Sequence, residues 1–247
     1  MIKYIILGVV QGLTEFLPVS SSGHLVIAQN ILNIQAHQVA ISVVLHLGTL
    51  LAVVIFFWKD ILSLSRNLKL FRQLCLVVMI TGVIGVLGKN FFESLFTCAK
   101  AVGIAWIFTG LILLATKKIT QLDKDKLQTK DALILGLAQS LAMIPGISRS
   151  GITISTLFFR KINRQLAFSV SFLVSIPIIF GAALLEARKI ESLAQTEIKN
   201  LLVGLLFSFI FGWLALFMLR FIINKAKFYY FGYYCLLLAA VTLLFIK

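Results

Sequence analysis

Charge is what this chain of 247 residues has least of: Asp and Glu number nine, and charged residues make up 13% against 60% hydrophobic. A soluble domain covers its surface with about a quarter charged residues, so that class is excluded, and the mean hydropathy of +1.02 points to an integral membrane protein. Cysteine is scarce too. Cys75, Cys98 and Cys235 lie within apolar runs or at their ends, without CxxC spacing or a nearby histidine, which leaves them as small apolar side chains rather than a metal or redox motif. A basic stripe with interleaved aromatics is also missing. The formal net charge of +14 therefore belongs to loops beside an anionic cytoplasmic leaflet, and nucleic acid is excluded as a partner.

What the sequence does contain is one device written twice. Residues 11–25 read QGLTEFLPVSSSGHL and residues 139–153 read QSLAMIPGISRSGIT, 128 positions later. At that offset Leu7, Gly8, Gln11, Leu13, Ser20, Ser22 and Gly23 meet the same residue types at Leu135, Gly136, Gln139, Leu141, Ser148, Ser150 and Gly151. Each copy puts hydroxyls, glycine, proline and an ionisable group into apolar surroundings. Lys3, the apolar run to Val10 and the small residues at 20–23 have the outline of a signal peptide. The recurrence of the segment argues against its cleavage.

Outside the two copies, six apolar runs cover about 39–57, 74–88, 101–116, 168–185, 201–219 and 228–246. Each is near the ~20 residues that cross ~30 Å of hydrocarbon, the second and third being the shortest. Lys and Arg gather at 58–73, 117–131, 160–164 and 220–227, while 89–100 and 186–199 are poor in excess positive charge. By the positive-inside rule the first four segments are cytoplasmic and the last two external. The three spans of the first half then run opposite to those of the second. The second device, flanked by cytoplasmic segments, enters the bilayer and returns; the first does the same from outside. The expected fold is an all-α polytopic membrane protein, an inverted-topology repeat of six spanning helices plus two re-entrant helix pairs meeting near the midplane. Residues 1–247 form a single membrane domain, with a first repeat at 1–118, a cytoplasmic linker at 119–128 and a second repeat at 129–247. Broken backbone at that depth is tolerated where it is buried in protein or lines a cavity.

Of all the charged residues, Glu15 and Arg149 alone fall outside loops, termini and span ends. An ionisable group in a span costs roughly 2.5 to 3.5 kcal/mol and marks function, with a partner. A structural pair that only pins the repeats together is the plainer account, but the hydroxyls around it exceed what such a pair requires. Ser20, Ser21, Ser22, Ser148, Ser150 and Thr153 offer donors to a phosphate at helix N-termini, or caps for the return helices. Arg149 adds a fork matched to phosphate oxygens. His24, three residues beyond Ser21, and Glu15 complete a set from which nucleophile, base and orienting acid can be drawn. Gln11 and Glu15, four apart, share a helical face and are the candidate metal ligands. His37 and His46 are expected to be structural.

The two motifs, with the run Phe168-Ser169-Val170-Ser171-Phe172-Leu173 that follows the second, resemble bacterial undecaprenyl-diphosphate phosphatase of the bacitracin-resistance type over the whole chain. The resemblance implies a multi-pass inner-membrane hydrolase that converts undecaprenyl diphosphate to the monophosphate, recycling the lipid carrier for peptidoglycan synthesis and giving bacitracin resistance. By motif position Glu15, Ser21, His24 and Arg149 are implied as catalytic, with Gln11, Ser148 and Thr153 supporting. The family motif admits Glu or Gln at the position of Gln11; here Gln leaves one carboxylate for a divalent cation, Mg²⁺ or Ca²⁺. The expected partners are a polyprenyl diphosphate and membrane lipids, with a homodimer as the candidate assembly, and the site is expected to open externally. Inverted repeats with broken helices also suit a carrier or flippase for an anionic prenyl lipid, and a purely structural scaffold is a third reading.

Overall fold

Polar side chains cap several of the helix starts. Asn67 Oδ1 accepts from Leu70 N at 3.1 Å, Ser148 Oγ from Gly151 N at 3.1 Å and Asn163 Oδ1 from Leu166 N at 2.8 Å. Gln128 and Asp131 form a reciprocal capping box. Each satisfies first-turn donors that helix geometry leaves open. The structure is a computed structural model that describes residues 1–34, 37–95, 99–186 and 195–245. Its described residues form α1 (Ile2–Phe16), α2 (Ser21–Ile31), α3 (Gln38–Phe56), α4 (Trp58–Leu64), α5 (Leu68–Leu87), α6 (Lys89–Leu95), α7 (Ala99–Ala115), α8 (Thr129–Leu141), α9 (Arg149–Phe159), α10 (Arg164–Glu186), α11 (Gln195–Asn224) and α12 (Tyr230–Phe245).

Five stretches are long and apolar enough to cross a bilayer: Gln38–Phe56, Leu68–Leu87, Lys100–Lys118, Arg164–Glu186 and Ile198–Asn224. The chain is thus an all-α, multi-pass membrane protein. The order of lengths differs from the expectation, because the second run extends to 20 residues while the last, Tyr230–Leu244, is the short one. Apolarity marks only the middle of a span. Helix α5 begins at Leu68 and takes in Lys69 and Arg72, both exposed, whose long stems reach from a helix end into a polar interface. For the same reason 58–73 is α4 and the start of α5 rather than a loop. Cys98, Arg188, Lys189 and Glu191 lie outside the described residues; Cys75 and Cys235 are free thiols.

The long helices pack by exchange between the halves of the chain. Helices α1 and α3 both lie on α11, α8 and α10 both lie on α5, and α7 pairs with α12. Close approach of backbones makes this possible, as at Gly8, where an added Cβ would run into Gly204 O, and at Gly12, where it would sit 2.7 Å from both Gly212 N and Ser208 O of α11. The four basic segments gather at one end. Lys124 pairs with the strand-like stretch 161–163 through two backbone hydrogen bonds of 3.0 and 2.9 Å, Lys117 sits 5.4 Å over the Tyr229 ring, and Asp60 shares a cavity with Asn163 and Gln165. The Lys89–Glu186 pair, at 3.7 Å, joins the two segments that are poor in excess charge. Asp131, expected in the cytoplasmic segment 117–131, instead lies in the first turn of α8, is fully buried and holds Arg160 Nε at 2.7 Å.

Between the ends, Phe16, Phe57, Phe168 and Phe172 form an edge-to-face and stacked aromatic core, with the rings of Phe16 and Phe172 5.4 Å apart. It carries the last turn of α1, and so Glu15, on one side. Overpacking a tight contact costs about 1 to 3 kcal/mol, so Gly12→Val is expected to lower the thermal unfolding temperature in detergent. Gly181→Ala, where nothing lies within 4 Å of an added Cβ, is expected to be neutral or to stabilise by up to about 1 kcal/mol. Equal melting of the two variants would refute the α1–α11 contact as described.

Candidate active site

The two tips of the repeated device touch. Helix α1 ends at Phe16 and α2 begins at Ser21, with Pro18 between them; α8 ends at Leu141 and α9 begins at Arg149, with Pro145 and Gly146 between. Gly146 turns with φ +98°, a conformation that side chains rarely adopt. Its amide donates to Ser20 Oγ at 3.2 Å, which joins one tip to the other.

At that junction the Glu15 carboxylate is the hub. Arg149 Nη2 donates to Oε1 at 2.5 Å. Ser21 Oγ donates to Oε2 at 2.6 Å, Gln11 Nε2 reaches the same oxygen at 3.1 Å, and His46 Nε2 stands 3.3 Å from it. The ionic groups are largely withdrawn from solvent, with the Glu15 side chain 6% and the Arg149 side chain 14% exposed. Arg149 has a further donor in reserve, since Nη1 is buried without a hydrogen-bond partner. The guanidinium also lies 5.9 Å over the Phe172 ring.

His24 is oriented by two contacts. Nδ1 lies 2.7 Å from the Ser20 carbonyl oxygen; a carbonyl only accepts, so Nδ1 carries the hydrogen. Nε2 of the neutral ring then accepts from Tyr234 Oη, 2.9 Å away. The contacts of the His24 ring are thus with Ser20, Tyr234 and the edge of Trp106, whereas the proton of Ser21 points at Glu15.

The serines divide their tasks. Ser148 caps α9, and Ser150 Oγ lies 3.3 Å from Ser148 Oγ. Ser20 occupies the matching position before α2 but adopts φ 67°, spends its hydroxyl on the other tip and on Ser22 Oγ, and makes no side-chain cap. The open helix N-terminus is therefore the one that carries Ser21. Thr153 points away from this group: its Oγ1 donates to the Arg149 carbonyl at 2.7 Å and meets Ser171 Oγ at 2.6 Å. It fixes the backbone behind Arg149.

A family model described as "Bacitracin resistance protein BacA" matches residues 4–241. The chain belongs to this family. Curated relatives named undecaprenyl-diphosphatase match it nearly end to end. The one from Halothermothrix orenii is 41% identical over 241 residues, covering 94% of this chain and 93% of that protein. Those from Alkaliphilus metalliredigens and Carboxydothermus hydrogenoformans are 37% and 40% identical, covering 98% and 97% of this chain and 98% and 95% of their own.

Several residues that surround the site in this BacA-family chain carry no mark in the sequence. His46 and Tyr234 lie within ordinary apolar runs, as do Trp106 and Thr109, whose side chains hold the tips from α7. For His46, Tyr234 and Thr109 only the placing of an ionisable or hydroxyl-bearing side chain in an apolar run could single them out, and that signal is common; Trp106 has none. Breaking a buried ion pair from one side costs about 3 to 5 kcal/mol, because it strands a charge, whereas replacing both partners is far less costly. Glu15→Ala is expected to lower stability by about that much, and Glu15→Ala/Arg149→Met to recover most of the loss. A double variant that melts no higher than the single one would show that the pair is not what holds the tips together.

Proposed function

We propose that this chain hydrolyses undecaprenyl diphosphate to undecaprenyl phosphate and inorganic phosphate at the junction of the two tips. It thereby recycles a lipid carrier for cell-wall polymers and confers resistance to bacitracin. Family membership and the printed names of the relatives support the activity. One observation carries the assignment to these residues: the Ser21 hydroxyl is already held on a carboxylate, beside a guanidinium with a free donor and an uncapped helix N-terminus.

Glu15, Ser21, His24 and Arg149 are the catalytic group in this reading, with Ser20, Ser22, Ser148 and Ser150 around the phosphates and Thr153 behind them. The terminal phosphate docks at the N-terminus of α2, where backbone amides and the helix dipole favour an anion. Arg149 Nη1 donates to its oxygens while Nη2 keeps Glu15 oriented. Ser21 Oγ attacks the terminal phosphorus, its proton passes to Glu15 Oε2, and the bond from phosphorus to the bridging oxygen breaks, releasing the prenyl monophosphate. Water then cleaves the phosphoserine, with His24 Nε2, once Tyr234 has yielded, as the base for that step. In-line placement and charge neutralisation are what such transfers need most.

A divalent cation, Mg²⁺ or Ca²⁺, fits this site in part. Gln11 Oε1 is buried without a partner beside Glu15, but no group of three or more His, Cys, Asp or Glu among the described residues forms a metal cage. Two oxygen donors suit a cation that arrives with the diphosphate, whose oxygens fill the rest of its shell. When bound, it would neutralise phosphate charge.

The re-entrant pairs and inverted repeats, with divisions at 1–118 and 129–247, belong to the same proposal. The exchanged packing of α1 and α3 on α11, and of α8 and α10 on α5, supports them. Gathering of the basic segments at one end supports a bacterial inner-membrane orientation with that end in the cytoplasm, six crossings, and a site reached from the external face. A homodimer is compatible with this arrangement.

Phosphate release from a polyprenyl diphosphate by purified protein is expected to fall by about 100-fold or more in Arg149→Lys, since a point charge cannot serve Glu15 and a phosphate as a fork does. Ser21→Ala is expected to be inactive, with phosphoserine trapped at Ser21 in acid-quenched wild type. Wild-type rates in either variant would remove that residue from the mechanism. For orientation, single cysteines at Asn90 and Lys124, in a chain whose own cysteines are replaced, are expected to react with an impermeant reagent from opposite sides, Asn90 from outside; the reverse pattern would invert the topology.

A further inference from the structure

His46 stands outside both copies of the device, in the middle of α3, yet its ring is held at both ends. Nδ1 lies 2.7 Å from the Ser42 carbonyl oxygen, one turn back along the helix, and must carry hydrogen because a carbonyl only accepts. Nε2 lies 3.3 Å from Glu15 Oε2, the oxygen that takes the Ser21 hydroxyl at 2.6 Å. The other oxygen, Oε1, belongs to Arg149.

Anchored at one oxygen alone, a glutamate carboxylate turns easily, because its terminal torsion has broad minima. Gln11 Nε2 touches Oε2 as well, but its side chain has three rotatable bonds of its own. The imidazole is rigid, and its contact with Ser42 fixes its plane. Resting on the reading in which Glu15 takes the Ser21 proton, we propose that His46, as an imidazolium with a hydrogen on each nitrogen, is a positioning residue for that transfer: a donor from Nε2 to Oε2 which, with Arg149 on Oε1, locks the carboxylate so that Oε2 stays on the Ser21 hydroxyl. The transferred proton moves from Ser21 Oγ to Glu15 Oε2, and His46 keeps its own hydrogens throughout. A packing role would ask only for volume at this place. A positioning role asks for a donor at the distance of Nε2.

The test compares kcat and KM for phosphate release from a polyprenyl diphosphate in wild type, His46→Leu and His46→Gln, all purified in detergent and checked by thermal unfolding. A misplacement of reacting groups by about 1 Å costs on the order of 100-fold, so His46→Leu is expected to lose about that factor in kcat with KM little changed. His46→Gln, whose side-chain nitrogen reaches the place of Nε2 as a donor, is expected to restore most of the loss. The proposal is overturned if His46→Leu turns over like wild type, if His46→Gln is as slow as His46→Leu, or if the loss lies in KM alone. Should His46→Leu fail to fold, His46→Met, of similar length and without a donor, takes its place against His46→Gln. Folded wild type that releases no phosphate would overturn the phosphatase reading itself, a result distinct from any ranking of the His46 variants.

Discussion

The ion pair between Glu15 and Arg149 sets the terms for the rest of the molecule. A lone carboxylate or guanidinium in apolar surroundings is costly, and each copy of the device supplies only one of the two. Neither half can therefore bury its own tip without the other. The long helices answer that demand by crossing over: α1 and α3 seat on α11, α8 and α10 on α5, and α7 pairs with α12. The Phe16, Phe168 and Phe172 cluster then packs beneath the pair, and Arg149 lies over one of its rings.

Bringing two broken helices together creates a second debt, in unpaired backbone groups, and side chains from α7 and α12 discharge it. Trp106 Nε1 donates to the Val19 carbonyl at 2.9 Å, and Thr109 Oγ1 donates to the Gly146 carbonyl at 3.0 Å while accepting from Ser148 N at 3.2 Å. Cys235 Sγ approaches the Pro18 carbonyl at 3.5 Å. Buried carbonyls and amides left without such partners would each cost about 1 to 3 kcal/mol. Gly23 has the Trp106 ring where a Cβ would stand, 2.6 Å away, so the residue before His24 is glycine for a steric reason that belongs to α7.

How far the sequence could be read follows from the range of each signal. Composition, the 128-residue recurrence and the runs of apolar residues are local or internally repeated, and they led to the membrane class, to two devices and to Glu15 and Arg149 as the odd charges. Helix ends were less legible. The second run looks short because Lys69 and Arg72 break the apolar pattern without breaking the helix, and the last run begins before its helix does, at Tyr230. Partners across the fold were least legible of all: Tyr234 reaches His24 from 210 positions away, and nothing around it in sequence announces that. Asp131 and Arg160 read as loop charges, yet Asp131 opens α8 and is fully buried against Arg160, an outcome that depends on how 124–131 folds against 160–164. In the sequence His46 is a single histidine in an apolar run, and its meaning lies in the distance to Glu15.

The two copies share a backbone plan and differ in how each uses it. At matching positions, Ser148 has an extended backbone and caps its own helix, while Ser20 has a left-handed one and reaches across to Gly146. One consequence is that α9 presents a capped N-terminus behind Arg149, and α2 an open one at Ser21. The matching glutamines diverge only in part: each donates to a threonine hydroxyl, Gln139 to Thr81 at 3.2 Å and Gln11 to Thr49 at 3.5 Å, but Gln11 also donates to Glu15. The cap that closes α9 in the second copy is thus absent from α2 in the first. A duplicated device of equal halves would offer two weak sites; in the mechanism we propose, a rigid half supplies positive charge and an open half supplies the nucleophile, and the ion pair between them keeps both in register.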